Sequence, residues 1–232
     1  MGAPMNRRQF LRGAGVLTAS VGSALAAGGC SRSSGPPPTT AVSTTSTSAE
    51  AADWAALAGQ LSGPVVVPGD PAYPVAKLLF NEQFDDLSPA AIAFCATPAD
   101  VQRCIEYARA HGAPVAARSG GHSYGGYSLS SGLVIDTTKM AAITLEGPST
   151  ATIGAGARLI DVYSTLGNAG TLLPGGSFPT VGIAGLTLGG GIGVFDRLFG
   201  LTCDNLRSVQ LVTADGRLLT TSPDQDPDLF WA

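Results

Sequence analysis

The sequence predicts a mixed helix-and-sheet fold of the α+β class, with two subdomains at about residues 53–140 and 141–232. Two observations predict it. The first half places short apolar runs around one strongly helical segment, and the second half repeats strand and helix before a hairpin. Residues 53–232 are also numerous enough to bury one good core or two small packed cores.

The first subdomain contains the clearest helix. Thr97, Pro98 and Asp100 are typical of a helix start, and apolar residues then recur at helical spacing until His111. Three apolar runs predict strands around this helix, at 91–94, 115–118 and 132–136. A glycine-rich loop joins the last two strands.

The second subdomain begins with an alternating strand at 150–153. A helix follows, predicted by apolar residues at helical spacing: Leu159, Ile160, Val162, Tyr163 and Leu166. Residues 173–200 then predict a long glycine-studded loop. The chain closes with a β-hairpin, predicted by two apolar runs at 208–213 and 218–220 around Asp215-Gly216.

Residues 1–30 have the pattern of a twin-arginine export signal, because Arg7 and Arg8 precede an uncharged stretch at 13–29. The stretch is short and interrupted by glycines, whereas a membrane span needs roughly 20 strongly apolar residues. We expect the Tat translocase to export the protein. Cleavage after Ala26 would secrete it, and cleavage before Cys30, in a lipoprotein box, would leave a lipid-anchored envelope protein.

Residues 31–52 are rich in Ser, Thr and Pro and predict a disordered linker. The globular part that follows, residues 53–232, carries nine lysines and arginines against sixteen aspartates and glutamates, a net charge of −7. Nucleic acid is therefore excluded as a partner, because phosphate binding needs clustered positive charge. Membrane contact is expected only through the lipid anchor.

Three cysteines lie in the globular part. Cys95 ends a strand and Cys104 lies early in the following helix, so the two are candidates for a local disulfide in an oxidising compartment; two buried free thiols are the alternative. Cys203 is left without a partner. No metal site is expected, since the chain has only two histidines and no C-x-x-C spacing.

Glycine density marks the candidate binding site. Twenty of the 31 glycines lie between Gly112 and Gly200, and glycine is favoured where backbone approaches another group closely or takes positive φ. Two loops, at 118–126 and 174–193, hold most of them. Amides in such turns bind anions, and two loops together would hold a pyrophosphate from both sides. Surface loops without a ligand are the alternative.

The second loop does not have the dinucleotide-binding spacing G-x-G-x-x-G. Gly189 and Gly191 are followed by Val194 where the third glycine belongs, and no evident helix opens there. A nicotinamide dinucleotide is therefore not predicted from spacing.

The first loop contains G-x-S-x-G around Ser123, the pattern of a serine hydrolase nucleophile. The context disfavours that interpretation, because no helix follows Ser123 and no histidine follows His122. His122 is flanked by small residues, so its imidazole is either free to reach a ligand or bonded to backbone.

A set of motifs in a fixed order resembles the flavin domain of berberine-bridge-enzyme-like oxidases, within the vanillyl-alcohol oxidase and p-cresol methylhydroxylase group. The similarity covers residues 81–232, and its motifs are Pro98-Ala99-Asp100-Val101, Arg118-Ser119-Gly120-Gly121-His122-Ser123, Leu133-Val134-Ile135-Asp136, Pro179-Thr180-Val181-Gly182, Gly189-Gly190-Gly191 and Gly200-Leu201-Thr202-Cys203-Asp204-Asn205.

The resemblance implies a two-subdomain FAD-binding domain of the p-cresol methylhydroxylase type, with His122 joined covalently to the 8α-methyl of FAD. It implies that the amides of 119–123 hold the pyrophosphate and that the second loop closes over it. The implied cofactor contacts are Arg118, Ser119, Gly120, Gly121, Ser123, Pro179, Thr180, Val181, Gly182, Gly185, Gly190 and Gly191.

The chain departs from the family pattern at two places. Many relatives have a second flavin bond from a cysteine before the Pro-Thr-Val-Gly motif, but Phe178 stands there, so attachment through His122 only is expected. Relatives also continue beyond the equivalent of Ala232. We therefore expect a flavin-binding part truncated before the substrate domain, which would carry the catalytic base.

The sequence thus predicts an exported FAD-dependent oxidoreductase. The resemblance implies hydride transfer from an alcohol, amine or sugar-like small molecule to flavin, and then electron transfer to O2 or another acceptor. A non-catalytic flavin-binding fragment or surface lipoprotein is the alternative, followed by a secreted serine hydrolase that uses Ser123.

Overall fold

The computed structural model describes residues 52–232. The predicted export signal, the lipoprotein box at Cys30 and the predicted linker, except for its last residue, lie outside the described residues.

The main sheet has four strands: β1 (Val65–Val66), β2 (Ala91–Phe94), β3 (Val115–Arg118) and β4 (Leu133–Asp136), in the order β1-β2-β4-β3. Strands β2 and β3 both run parallel to β4, and β1 is antiparallel to β2. Every residue of β4 is buried, as expected for an apolar strand at the centre of a parallel sheet. The first glycine loop leaves the sheet at the carboxyl end of β3.

Three helices belong to this half of the chain: α1 (Trp54–Ala58), α2 (Tyr73–Ala76) and α3 (Pro98–Ala110). A single 3-10 turn covers Glu82–Phe84. Helix α3 begins with a capping box, in which the Thr97 hydroxyl accepts from the Asp100 amide at 3.2 Å and the Asp100 carboxylate accepts from the Thr97 amide at 3.1 Å. The predicted start of this helix is confirmed.

The second half contains two antiparallel strand pairs, β5 (Ile143–Leu145) with β6 (Ala151–Ile153) and β7 (Val209–Val212) with β8 (Leu218–Thr221). Helix α4 spans Leu159–Asn168, and α7 spans Pro227–Trp231. The predicted hairpin is confirmed, and its turn contains Gly216 at φ +87°.

The prediction of an uninterrupted loop over 173–200 is wrong. Two short helices form within it, α5 (Ile183–Leu188) and α6 (Asp196–Phe199), and a 3-10 turn follows at Thr202–Asn205. Helix α5 forms because Ile183 and Leu186 pack with Leu159 in a shared apolar cluster, which outweighs the low helix propensity of the glycines.

The core consists of three apolar clusters. Two of them, around Leu133 and Val134 on opposite faces of β4, contain residues no later than Met140. The third lies under α4 and α5 and contains residues from Ile143 onward. The two glycine loops extend from these separate clusters.

Candidate functional site

The first glycine loop begins immediately after β3. Among the described residues, the five consecutive amides of 119–123 have no acceptor within the protein. Gly121 has φ +71°, a conformation that side chains disfavour. The loop is held on its outer side by a hydrogen bond from the Phe80 amide to the Gly121 carbonyl at 3.1 Å. A row of free amides on a fixed loop is a site for an anion.

The two glycine loops touch at Gly120 and Gly182. A Cβ on Gly120 would lie 2.2 Å from the Gly182 nitrogen, and a Cβ on Gly182 would lie 2.1 Å from the Ser119 hydroxyl oxygen. Neither glycine has positive φ. Close approach therefore requires glycine at both positions, as the sequence predicted for backbone packed against a partner.

The amino end of α4 holds the Pro-Thr-Val-Gly segment. The Leu159 amide donates to the Val181 carbonyl and the Ile160 amide to the Pro179 carbonyl, each at 3.0 Å. The first amides of a helix have no acceptor within the helix, so they are available to these carbonyls. The backbone of Thr180 is thus held between two anchored carbonyls.

His122 lies between the two loops. Its Nε2 is 2.8 Å from the Thr180 hydroxyl oxygen. Phe80 stacks on the imidazole at 4.2 Å between ring centroids and 18° between planes, and the Phe178 ring lies 5.4 Å away. Partial burial lowers the pKa of His122 from its ordinary value of 6.5, so the ring is neutral at physiological pH.

An open cavity of about 220 Å³ lies beside His122. It is lined by Phe80, Ser119, Gly120, His122, Thr138, Arg158 and Thr180. The lining includes three hydroxyl groups and one guanidinium and no carboxylate, which suits a negatively charged ligand. Ligand pockets usually enclose about 300–1,000 Å³, so this cavity is the size of one polar part of a larger molecule.

Arg118 has a different position from the other predicted contacts. Its Nε donates to the Asp136 carboxylate at 2.6 Å and its Nη2 to the Ala76 carbonyl at 2.8 Å, and both charged residues are buried. The pair joins the carboxyl ends of β3 and β4, and Arg118 does not line the cavity. Thr138 also donates two hydrogen bonds to the Asp136 carboxylate, one from its amide at 2.8 Å and one from its hydroxyl.

The remaining predicted contacts lie further along the second loop. Gly185, in α5, has nothing within 4 Å of a hypothetical Cβ. Gly190 and Gly191 have positive φ, at +102° and +79°, and a Cβ on Gly191 would lie 2.1 Å from the Thr202 hydroxyl oxygen. Their glycine identity is thus explained by backbone conformation and packing.

Ser123 does not have the surroundings of a hydrolase nucleophile. Its hydroxyl accepts from the Tyr127 amide at 3.1 Å. Both histidines of the chain are described, and their rings are bonded elsewhere, His122 to Thr180 and His111 to the Tyr107 carbonyl. The segment after Ser123 forms turns instead of a helix.

The three cysteines within residues 52–232 are free thiols. Cys95 and Cys104 are buried with their Sγ atoms 3.7 Å apart. The structure therefore has two buried free thiols at these positions and not the local disulfide. The contact with Cys104 and burial raise the pKa of the Cys95 thiol far above its ordinary range.

Within residues 52–232 no cluster of His, Cys, Asp or Glu has the arrangement of a metal site, and no helix has the length and apolar character needed to cross a membrane.

One protein-family model, described as an FAD binding domain, matches residues 89–222, more than half of the chain. The chain belongs to this FAD-binding domain family. A curated relative, the uncharacterized FAD-linked oxidoreductase YgaK of Bacillus subtilis, is 41% identical over 179 residues, which is 75% of this chain and 40% of YgaK.

Solved structures of FAD-binding domain proteins have the same fold. BBE-like 1 of Physcomitrella patens superposes with a TM-score of 0.73 at 38% identity over 77% of this chain and 39% of its own. Glucooligosaccharide oxidase of Acremonium strictum, whose FAD is described as 6-S-cysteinyl and 8α-N1-histidyl, has a TM-score of 0.72 at 31% identity over 77% of this chain and 38% of its own. The predicted family and α+β fold are confirmed.

The chain spans about two fifths of the length of these relatives. The residues present fit the dinucleotide's pyrophosphate, because Ser119, Gly120 and His122 of the amide-rich loop line a cavity that also contains a guanidinium and hydroxyl groups.

Sequence analysis missed three residues that line this cavity, Phe80, Thr138 and Arg158. Of these three residues, only Arg158 could have been identified from the sequence. It is a lone cation beside the Gly154-x-Gly156 turn in a chain of acidic composition.

Proposed function

We propose that this chain is the FAD-binding part of an FAD-linked oxidoreductase and that it carries FAD covalently through His122. The observation that carries the proposal is the position of His122, beside a carboxylate-free cavity and within a run of five amides that lack internal acceptors among the described residues. FAD bound there would supply the hydride acceptor for a substrate C–H bond. The chain's own residues would hold and orient it.

Attachment through His122 alone is supported by Phe178. The second linkage of glucooligosaccharide oxidase is to a cysteine. The residue just before the Pro179–Gly182 motif is Phe178, which has no nucleophilic atom and packs against Phe80 at 5.1 Å between centroids.

The substrate and the electron acceptor depend on the whole protein, since this chain spans about two fifths of the length of its relatives. We propose a small molecule with an oxidisable alcohol, amine or sugar carbon as substrate, and O2 or another small molecule as electron acceptor.

We also propose Tat-dependent export, with either secretion or lipid anchoring at Cys30. Replacing Arg7 and Arg8 with lysine should keep the protein in the cytoplasm. If the wild type is anchored through a lipid on Cys30, the Cys30→Ser variant should no longer sediment with membranes.

The covalent bond is tested by precipitating the purified full chain with acid and recording the absorption spectrum of the redissolved pellet. We expect flavin absorption bands in the pellet of the wild type and of Ser123→Ala, and none in that of His122→Ala. A colourless wild-type pellet would overturn covalent attachment. A wild-type chain that also fails to retain added FAD on ultrafiltration would overturn the flavin-binding function.

A further inference from the structure

Two hydroxyl groups of residues that line the cavity have their only proton engaged inside the protein. The Ser119 hydroxyl donates to the Ala155 carbonyl at 2.6 Å, and a carbonyl oxygen can only accept a hydrogen bond. The Thr138 hydroxyl bonds the Asp136 carboxylate, which is ion-paired with Arg118 and therefore also only accepts. Each hydroxyl is thus the donor in its internal bond and has only oxygen lone pairs left for a ligand.

The direction of the Thr138 hydroxyl is fixed by its surroundings. The Thr138 amide donates to the same Asp136 carboxylate at 2.8 Å, so two hydrogen bonds hold the residue in place. Asp136 is buried, and its other carboxylate oxygen accepts from the Arg118 Nε at 2.6 Å. If the hydroxyl proton turned toward a ligand, a buried charge would lose a hydrogen bond, which is unfavourable.

Other groups around the cavity have the opposite hydrogen-bonding polarity. The Arg158 guanidinium has only donors, and the amides of 119–123 are donors without internal acceptors among the described residues. An ionised phosphate has only acceptors, so it fits the guanidinium and the amides. It cannot bond to the Ser119 or Thr138 oxygen, because each of these oxygens needs a donor from the ligand. The cavity therefore suits a ligand that carries donors beside its phosphate.

We propose that the Ser119 and Thr138 oxygens accept hydrogen bonds from ligand hydroxyl groups, and that the cavity takes the part of its ligand where a phosphate ester adjoins a hydroxyl-bearing chain or ring. Thr138 is the residue that distinguishes a phosphorylated polyol or sugar from a phosphate without hydroxyl groups. The inference rests on the proposed function, in which the ligand is FAD. FAD has two such parts, the ribityl chain and the ribose of its adenosine, and each is linked to a phosphate.

The test measures reversible binding to the full chain by isothermal titration calorimetry, in a His122→Ala background that cannot form the covalent bond. The ligands are FAD, FAD analogues that lack a single ribityl hydroxyl, and FAD analogues that lack a single ribose hydroxyl. Thr138→Val removes the hydroxyl at nearly constant shape, and Thr138→Ser keeps it. Thr137→Val is the matched control, because the Thr137 hydroxyl donates to the Arg118 carbonyl at 3.2 Å and Thr137 does not line the cavity.

We expect Thr138→Val to weaken FAD binding roughly three- to tenfold, as the loss of one hydrogen bond implies, while Thr138→Ser and Thr137→Val bind FAD like the background protein. At least one deoxy analogue should bind the background protein more weakly than FAD does, by a similar factor. Thr138→Val should bind that analogue and FAD equally, because the hydrogen bond is already absent. A ribityl analogue with this behaviour assigns the ribityl chain to the cavity, and a ribose analogue assigns the adenosine ribose.

Three results would overturn the inference. If every deoxy analogue binds the background protein as FAD does, no ligand hydroxyl is recognised, and this comparison does not depend on the folding of Thr138→Val. If Thr138→Val lowers the affinity for FAD and for every analogue by the same factor, its oxygen does not accept from a ligand hydroxyl. If the wild type retains FAD but His122→Ala binds none, the cavity contacts contribute too little. A wild type that fails to retain FAD would overturn the proposed function as well.

Discussion

The backbone nitrogens of Gly120 and Gly182 each lie within 2.3 Å of the point where a Cβ on the other residue would be. Residues 62 positions apart in the sequence therefore exclude each other's side chains. This contact sets the distance between the amide-rich first loop and the segment that carries Thr180. The spacing of the site is a property of backbone packing.

Substituting either glycine should separate the loops. We expect Gly182→Ala to lower the free energy of unfolding by about 1–3 kcal/mol, the usual cost of overpacking, and to weaken FAD binding at least tenfold. Urea unfolding and ultrafiltration with FAD measure the two effects. Gly185→Ala is the control for stability, because its Cβ would meet nothing within 4 Å in α5 and should stabilise by about 0.5–1 kcal/mol. Wild-type stability and binding in Gly182→Ala would contradict the prediction.

Arg158 should contribute to phosphate binding. It lines the cavity, and within residues 52–232 its guanidinium makes no ion pair. Arg158→Gln should weaken FAD binding about three- to tenfold, a modest effect because the side chain is exposed. Riboflavin, which has no phosphate, should bind equally to both proteins. Arg207→Gln makes the same charge change away from the cavity, and equal losses in the two variants would indicate only a long-range charge effect.

The Arg118–Asp136 pair should be important for stability. Both residues are buried, so Arg118→Met leaves the Asp136 charge without its partner and should cost about 3–5 kcal/mol in unfolding free energy. The double variant Arg118→Met, Asp136→Asn should recover part of that loss, because it also removes the buried charge. A loss below about 1 kcal/mol in the single variant would show that the pair is dispensable.

Asp100 should make stability depend on acid pH. Burial raises its pKa, but hydrogen bonds from the amides of Ser62, Ala96 and Thr97 outweigh this effect and lower the pKa below 3.8. The folded state therefore binds the proton less readily than the unfolded state does. Its contribution to stability is fully present above pH 3.8 and is lost as the pH falls through the lower folded value.

The Asp100→Ala variant tests this dependence. It leaves three amides without their carboxylate acceptor and should lower the unfolding free energy at pH 7 by roughly 1–3 kcal/mol. The difference from wild type should shrink in acid. Asp224→Ala, at an exposed position whose carboxylate has no hydrogen bond among the described residues, is the control and should leave stability close to that of the wild type at both pH values. A difference between Asp100→Ala and wild type that stays constant from pH 7 to pH 3 would contradict this account.

The thiols should differ in reactivity. Cys95 and Cys104 are fully buried, while Cys203 is partly exposed. A colorimetric thiol reagent should modify Cys203 in the folded protein and should reach the buried pair only in urea. Cys203→Ser identifies the fast signal. If two thiols fail to appear in urea until a reductant is added, Cys95 and Cys104 form a disulfide in the purified protein.

Local signals predicted the parts of the fold that depend on neighbouring residues. Thr97 and Asp100 defined the start of α3 because a capping box involves only four consecutive positions. The Asp215-Gly216 turn identified the hairpin for the same reason. Helix α5 was missed because its formation depends on packing with Leu159, which the glycine-rich local sequence does not reveal.

The site was predicted where it consists of glycine loops and His122, and it was missed where distant segments meet. Phe80 reaches the cavity because its amide bonds the Gly121 carbonyl, 41 residues later in the chain. Arg158 reaches it through a β-bridge with Gly182. Tertiary pairings of this kind leave no periodic pattern in a single sequence.

The amino end of α4 has a consequence for how the protein recognises anions. A helix start normally offers its free amides and positive dipole end to a phosphate, but here the amides of Leu159 and Ile160 are occupied by the chain's own carbonyls. FAD phosphates bound at this site would therefore be contacted by the irregular backbone of residues 119–123. The geometry of one short non-helical turn would then determine how tightly an anion is held, and the amides of α4 would not contribute to it.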